Sequence, residues 1–158
     1  MEKIHRERLA EALRLAEENV KEGNGGPFGC VIYKNGERLA AAGNTVTSTF
    51  DPTAHAEVNA IREACVRLGS WQLEGCEVYA SSEPCPMCLA ALYWARPLAV
   101  YFANPRQTAA RYGFDDDFIY RQIPLPPAER SLPFRTFLPE HAEAPFVAWK
   151  QKTDKIVY

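Results

Sequence analysis

Leu9, Leu13, Ala16 and Val20 recur three or four residues apart among charged neighbours, which predicts an amphipathic helix running to about Lys21. The stretch GNGGPFG breaks that period and opens FGCVIY, whose β-branched and aromatic residues read as a strand. Asn35-Gly36 then reads as a two-residue hairpin turn into ERLAAAG. Beyond the polar loop NTVTSTFDPT, the residues Val58, Ile61, Cys65 and Leu68 share one helical face, and Gly69 stops that helix. CEVYAS is a second alternating run, and PCPMCLAALYWA is apolar all round, predicting a buried helix ended by Arg96-Pro97. LAVYFA is a further strand. Strand, crossover helix and strand in this order imply parallel pairing within a three-layer α/β sandwich.

The last third is less regular. PRQTAARYGFDDDFIYRQ reads as helical in pieces. Four prolines make IPLPPAERSLP a stiff, extended linker, and residues 134–158 read as a tail with a short extended piece and a final helix. No internal repeat or low-complexity tract divides the chain, so residues 1–158 read as one domain.

Composition narrows the possible roles. Eighteen basic and twenty acidic side chains leave a formal net charge of −2, a balance that does not gather a polyanion and argues against nucleic acid as partner. MEKIHRERLAEALRL has no apolar signal core, and the longest apolar run, MCLAALYWA, is too short to span a bilayer. Of five cysteines, only Cys85 and Cys88 are closely spaced. Cys30, Cys65 and Cys76 sit singly in apolar patterns as small core residues, as expected in a reducing cytoplasm. His5 and His141 show no partner pattern and read as surface residues.

The candidate chemistry lies in SSEPCPMC. A C-x-x-C pair can be a redox couple, half of a structural zinc site, or two ligands of a catalytic metal. Placed on the first turn of a helix, Cys85 and Cys88 share a face, and the helix N-terminus favours the thiolate form that binds metal. Pro86 suits a first-turn position, because the N–H it lacks has no intrahelical partner there. A catalytic zinc takes three protein ligands and leaves one position for water. His55, opening the preceding helix in TAHAEVNA, is the candidate third ligand, and Glu57 the carboxylate that moves the water's proton. A structural zinc module would need a fourth ligand, such as Cys76 or Glu57, and a thiol oxidoreductase would need neither His55 nor Glu57. The combination H-x-E followed by P-C-x-x-C is the signature of zinc nucleobase deaminases.

In GGPFG, DPTAHAEVNAIR, SSEPCPMCLAALYWARP and GFDDDFIY, taken in order, the chain resembles the cytidine-deaminase-like superfamily. Within it, GFDDDFIY and the terminal tyrosine make it similar to the small bacterial guanine deaminases. The resemblance implies an α/β/α sandwich with a mixed central sheet. It implies one zinc per chain on His55, Cys85 and Cys88, and catalytic roles for Glu57 and Asp116, with Asp115 and Asp117 as rivals for the latter. Asn44, Phe28, Trp94, Ala56 and Tyr158 would bind or enclose a small purine base, Asn44 offering both a donor and an acceptor. It further implies a cytoplasmic homodimer in which residues 134–158 are exchanged between subunits. The expected reaction converts guanine to xanthine and ammonia in purine catabolism. Guanosine, cytosine, ammeline and a tRNA adenosine are the alternative substrates, the last disfavoured by the charge balance.

Overall fold

Asn35 and Gly36 both adopt positive φ, 52° and 86°, the pair of left-handed residues that a two-residue hairpin turn requires. In the computed structural model, which describes residues 2–158, this turn joins β1 (Gly29–Lys34) to β2 (Glu37–Gly43). β1 also pairs antiparallel with β3 (Cys76–Ser82), and β3 pairs in parallel with β4 (Ala99–Asn104). The sheet is therefore mixed, in the order β2-β1-β3-β4, as the hairpin and the crossover each predict. The other elements are α1 (Glu2–Lys21), α2 (Val46–Thr49), α3 (Ala56–Leu68), α4 (Pro86–Ala95), α5 (Arg106–Arg111), α6 (Asp117–Gln122) and α7 (Ala144–Gln151). The chain divides into two compact units, the first ending at Phe118 and the second comprising Ile119–Tyr158.

Alternation along β1 builds the two faces of the sheet. Cys30 and Ile32 join Ala56, Ala60, Ala64, Leu92 and Ala95 of α3 and α4 in one core. Val31 points the other way and packs with Ala12 of α1 and Tyr79 of β3. This is the three-layer arrangement expected, but the helices turn different faces to it. In α1 the buried residues are Arg8, Ala12, Ala16 and Asn19, whereas Leu13 and Val20 are exposed. In α3 the innermost apolar residues are Ala56, Ala60 and Ala64, with Ile61, Cys65 and Leu68 packed at the margin. Close approach is the cause. A Cβ on Gly29 would lie 2.3 Å from the carbonyl oxygen of Ala12, so α1 rests directly on the β1 backbone and leaves room only for small residues. α4 also departs from the expectation of a fully buried helix: Cys88, Leu92 and Ala95 are buried, whereas Leu89, Tyr93 and Trp94 are exposed.

Beneath α1 lies a polar cluster that the hydrophobic pattern conceals. Arg8, 6% exposed, donates to Glu77 at 2.5 Å and to the Tyr79 hydroxyl at 2.9 Å, with its guanidinium 4.2 Å from the Tyr33 ring centroid. His5 is not a bare surface residue: its Nδ1 is 2.8 Å from the Tyr79 hydroxyl and its ring stacks on Tyr101 at 4.3 Å. Removing Glu77 strands a buried cation, so Glu77→Ala is expected to destabilise the protein by roughly 2–3 kcal/mol, less than for a fully buried pair because Glu77 is partly exposed. At this size that lowers the thermal midpoint by roughly 4–12 °C, readable by calorimetry. An unchanged midpoint would mean that Tyr79 and the two rings hold Arg8 unaided.

In the second unit, the proline segment is not extended throughout. Pro127–Glu129 form a single 3₁₀ turn, braced by Arg130 Nε donating to the Leu125 carbonyl and by Ser131 N–H donating to Gln122 Oε1. Proline fixes φ near a value that such a turn tolerates, so side-chain partners decide between turn and extension. The final helix is α7, as expected.

Candidate active site and metal centre

Two helix N-termini meet at the end of β3. His55 is the N-cap of α3 and Cys85 the N-cap of α4, both with extended backbone (φ −69°, ψ 155° and φ −64°, ψ 168°). Pro86 occupies the first turn of α4, and Cys88 follows one turn in. Each cap carbonyl accepts the first intrahelical bond, from Asn59 N–H and Leu89 N–H, so the caps are fixed while their side chains stay free to face each other. The i, i+2 separation of His55 and Glu57 poses no obstacle, because His55 precedes the helical turn that carries Glu57.

His55 Nδ1 lies 3.5 Å from Cys85 Sγ and 3.5 Å from Cys88 Sγ, and the three ligand atoms lie within 4.8 Å of one another. Zinc bonds of about 2.3 Å to sulfur and about 2.0–2.1 Å to nitrogen, set at tetrahedral angles, place sulfur and nitrogen about 3.6 Å apart. The donor set thus matches zinc in both chemistry and spacing, with three ligands and a fourth position left over.

The charges around the trio are mutually dependent. Cys85 is held well below the usual thiol range, first because Cys88 donates a hydrogen bond to it and then because His55 does. Cys88 is pushed up by retaining the shared proton and by burial. The bond to Cys85 raises His55. Glu57 is buried, and burial raises its carboxyl above the ordinary range, with Cys85 adding to the effect and Cys88 and His55 opposing it. The ionisation of Glu57 therefore answers to all three ligands. Both helix N-termini add positive potential that favours thiolate.

The three consecutive aspartates occupy different settings. Asp115 Oδ1 accepts the N–H of Asp117 at 3.0 Å, and Asp117 faces Arg106 at 3.9 Å. Asp116 is raised by burial first and then by the Cys85 charge, which puts its carboxyl within electrostatic reach of the cluster. Asn44 is buried, and its Oδ1 accepts two backbone N–H groups, from Gly26 at 3.3 Å and Val46 at 3.1 Å. The expectation that Asn44 offers both a donor and an acceptor is corrected: its oxygen is engaged, and what remains is the Nδ2 amide donor. Phe28 packs at the margin of the core and meets Phe114 edge to face, with centroids 5.0 Å apart. Ala56 is fully buried beside Glu57. Trp94 lies on the outer side of α4 at 63% exposure, and Tyr158 belongs to the second unit at 69%.

Sequence reasoning passed over Phe114 and Asn19. Phe114 stands inside GFDDDFIY and was open to notice; Asn19, a buried amide on α1, had no such signal.

Residues 2–104 match the sequence profile of the cytidine and deoxycytidylate deaminase zinc-binding region. The chain belongs to this family. Among its relatives, guanine deaminase of Bacillus subtilis is 52% identical over 155 residues, covering 98% of this chain and 99% of that protein. The X-ray structure of guanine deaminase from the same organism superposes with a TM-score of 0.96 at 51% identity, covering 98% of both chains. A tRNA-specific adenosine deaminase of Aquifex aeolicus is 47% identical over 95 residues, 60% of this chain and 62% of that one. As a zinc-binding deaminase of this family, the chain carries a His/Cys/Cys group suited to one zinc ion, and its mixed α/β sandwich is the family fold.

Proposed function

We propose that this protein is a zinc-dependent guanine deaminase, adding water across C2 of guanine to give xanthine and ammonia. One observation carries the reading: the likeness to a guanine deaminase runs the length of both chains and through the loop bearing Asp116. The tRNA-specific relative is matched over 60% of this chain.

Zinc held by His55, Cys85 and Cys88 supplies Lewis-acid activation of a water molecule. The remaining steps belong to the side chains. Glu57 takes one proton of the water and delivers it to the ring nitrogen beside C2. It then takes the second from the hydroxyl now on C2 and gives it to the departing amine, so that the C2 carbonyl of xanthine forms as ammonia leaves. Burial, which raises its proton affinity, suits Glu57 to holding each proton between uptake and delivery. Asp116 accepts N–H groups of the base, and Asn44 Nδ2 donates to an acceptor on it. In this reading Phe28, Trp94 and Ala56 enclose the base, and Tyr158 closes the partner's site in the dimer.

The test is ammonia release from guanine, guanosine, adenine, cytosine, cytidine and ammeline under one set of conditions. Guanine should be turned over far faster than the rest. A comparable rate on any second substrate would remove guanine specificity from the reading.

The functional unit in this reading is a cytoplasmic homodimer engaged in purine catabolism, in which residues 134–158 of each subunit complete the partner's site. Phe134, Phe137, Phe146 and Trp149 are exposed in the single chain and form an apolar set in want of cover. Exchange of an identical element is a low-cost route to a closed dimer. No helix among the described residues is long and apolar enough to cross a membrane.

Asp116→Ala should reduce guanine turnover by roughly 10²-fold or more while leaving zinc content and thermal midpoint near wild type, since a missing partner leaves the base N–H groups unpaired. Refolding Asp116→Ala together with a chain truncated before Phe146 should then restore activity, because one site of the mixed dimer gains an intact Asp116 and an intact tail. If both parents are folded, zinc-loaded and inactive and the mixture stays inactive, each tail serves its own chain.

A further inference from the structure

The orientation of the Asn44 amide is set from elsewhere in the fold. Asn19 is the one neutral amide on the buried face of α1, 6% exposed, in a row otherwise made of Arg8, Ala12 and Ala16. Both of its Nδ2 protons are used: one goes to the Gly26 carbonyl at 2.9 Å, the other to the Asn44 carbonyl at 2.8 Å. Its Oδ1 sits where a Cβ on Gly43 would stand, 2.3 Å away, so a glycine at 43 is what lets the side chain reach between the two segments. One buried side chain thus joins α1 to the 24–28 loop and to the end of β2.

This clamp has a chemical consequence. Holding Gly26 and Asn44 together brings the Gly26 N–H to Asn44 Oδ1, while the turn into α2 brings the Val46 N–H to the same oxygen. Two backbone donors on one side of an amide fix which way it points, because Nδ2 placed there would face two N–H groups. Nδ2 must therefore face away, and among the described residues it meets no protein acceptor. An amide free to rotate would read donors and acceptors alike. This one reads acceptors only.

We infer that Asn19 is a positioning residue for substrate recognition: by clamping Gly26 to Asn44 it presents Asn44 as a fixed hydrogen-bond donor, so that the site selects bases with a carbonyl or ring-nitrogen acceptor at that point. The inference rests on Asn44 as a base-contacting residue. It assigns Asn19 no contact with substrate or metal. Its loss should weaken base binding and leave the proton transfers of Glu57 as they are.

The experiment compares Asn19→Leu, Asn44→Ala and the double variant, measuring KM and kcat for guanine, the inhibition constant of xanthine, zinc content and thermal midpoint. Leucine keeps the forked outline of the side chain, at a larger volume, and removes both donors. Each single variant should raise KM and the xanthine constant about tenfold, the value of one neutral hydrogen bond, with kcat within about threefold and zinc near one per chain. Because Asn19 acts through Asn44, the double variant should be no worse than Asn44→Ala alone. Multiplying effects in the double variant would overturn the inference, by showing that Asn19 supports the fold at large. So would a normal KM in Asn19→Leu beside a raised one in Asn44→Ala, with the role of Asn44 left standing. A normal KM in Asn44→Ala would overturn that role and the inference together. Where Asn19→Leu does not fold, Asn19→Ser, which fits the space with water in place of the lost amide, is read by the same outcomes.

Discussion

Glu57→Gln is expected to retain about one zinc per chain and to lose turnover by roughly 10²–10⁴-fold, toward the upper end of what a general acid–base residue contributes. The substitution keeps shape and volume in a position that is 7% exposed, so the packing around it should survive. What it removes is the ability to take up and release a proton. An obligatory shuttle used more than once per cycle leaves no partial route, whereas a residue that merely orients water would leave a substantial rate. Zinc analysis on the same preparation separates the possibilities. If Glu57→Gln arrives without zinc, the carboxylate is a ligand and the centre is structural.

Cys85→Ser should instead lose metal and activity together. A serine hydroxyl does not ionise near neutral pH, so the variant keeps two ligands of three. Changes to the outer partners of a ligand already weaken metal affinity by about 10–100-fold, and removing a ligand exceeds that. The position is also the one where Cys88, His55 and the helix N-terminus all favour negative sulfur, so the charge lost is the one the surroundings were arranged to hold. Dialysis against a mild chelator followed by metal analysis gives the result. If fresh wild-type protein holds no zinc and Cys85 and Cys88 cycle with thiol reagents, the pair is a redox couple and the deaminase reading falls.

The ligand trio was legible because it is encoded in short range: H-A-E and P-C-P-M-C each fix a helix start, and helix starts aim side chains in a narrow cone. The mixed sheet was legible for a similar reason, since Asn35-Gly36 dictates a hairpin and a helix between two strands dictates a parallel crossover. The helix faces were not. Leu13 and Val20 carry the larger apolar signal, but contact with β1 at Gly29 admits only Ala12 and Ala16, and that distance is a property of two segments at once. The orientation of Asn44 was hidden for the same reason, being fixed by Gly26, Val46 and Asn19 across separate elements. Periodicity reports what is apolar; it does not report how near the neighbour stands. The partners of His5 likewise come from β3 and β4, far along the chain.

The metal ligands and the carboxylate proposed to read the base belong to different kinds of structure. His55, Cys85 and Cys88 start helices pinned to the sheet within residues 2–104, whereas Asp116 stands on a loop after α5, beyond the stretch that the family profile describes. Heredity can work on these two parts separately. A lineage that lengthens, shortens or rewrites the segment after β4 changes what the pocket accepts without disturbing the ion that does the chemistry, and each intermediate in that history keeps a folded, metal-loaded protein on which selection can act.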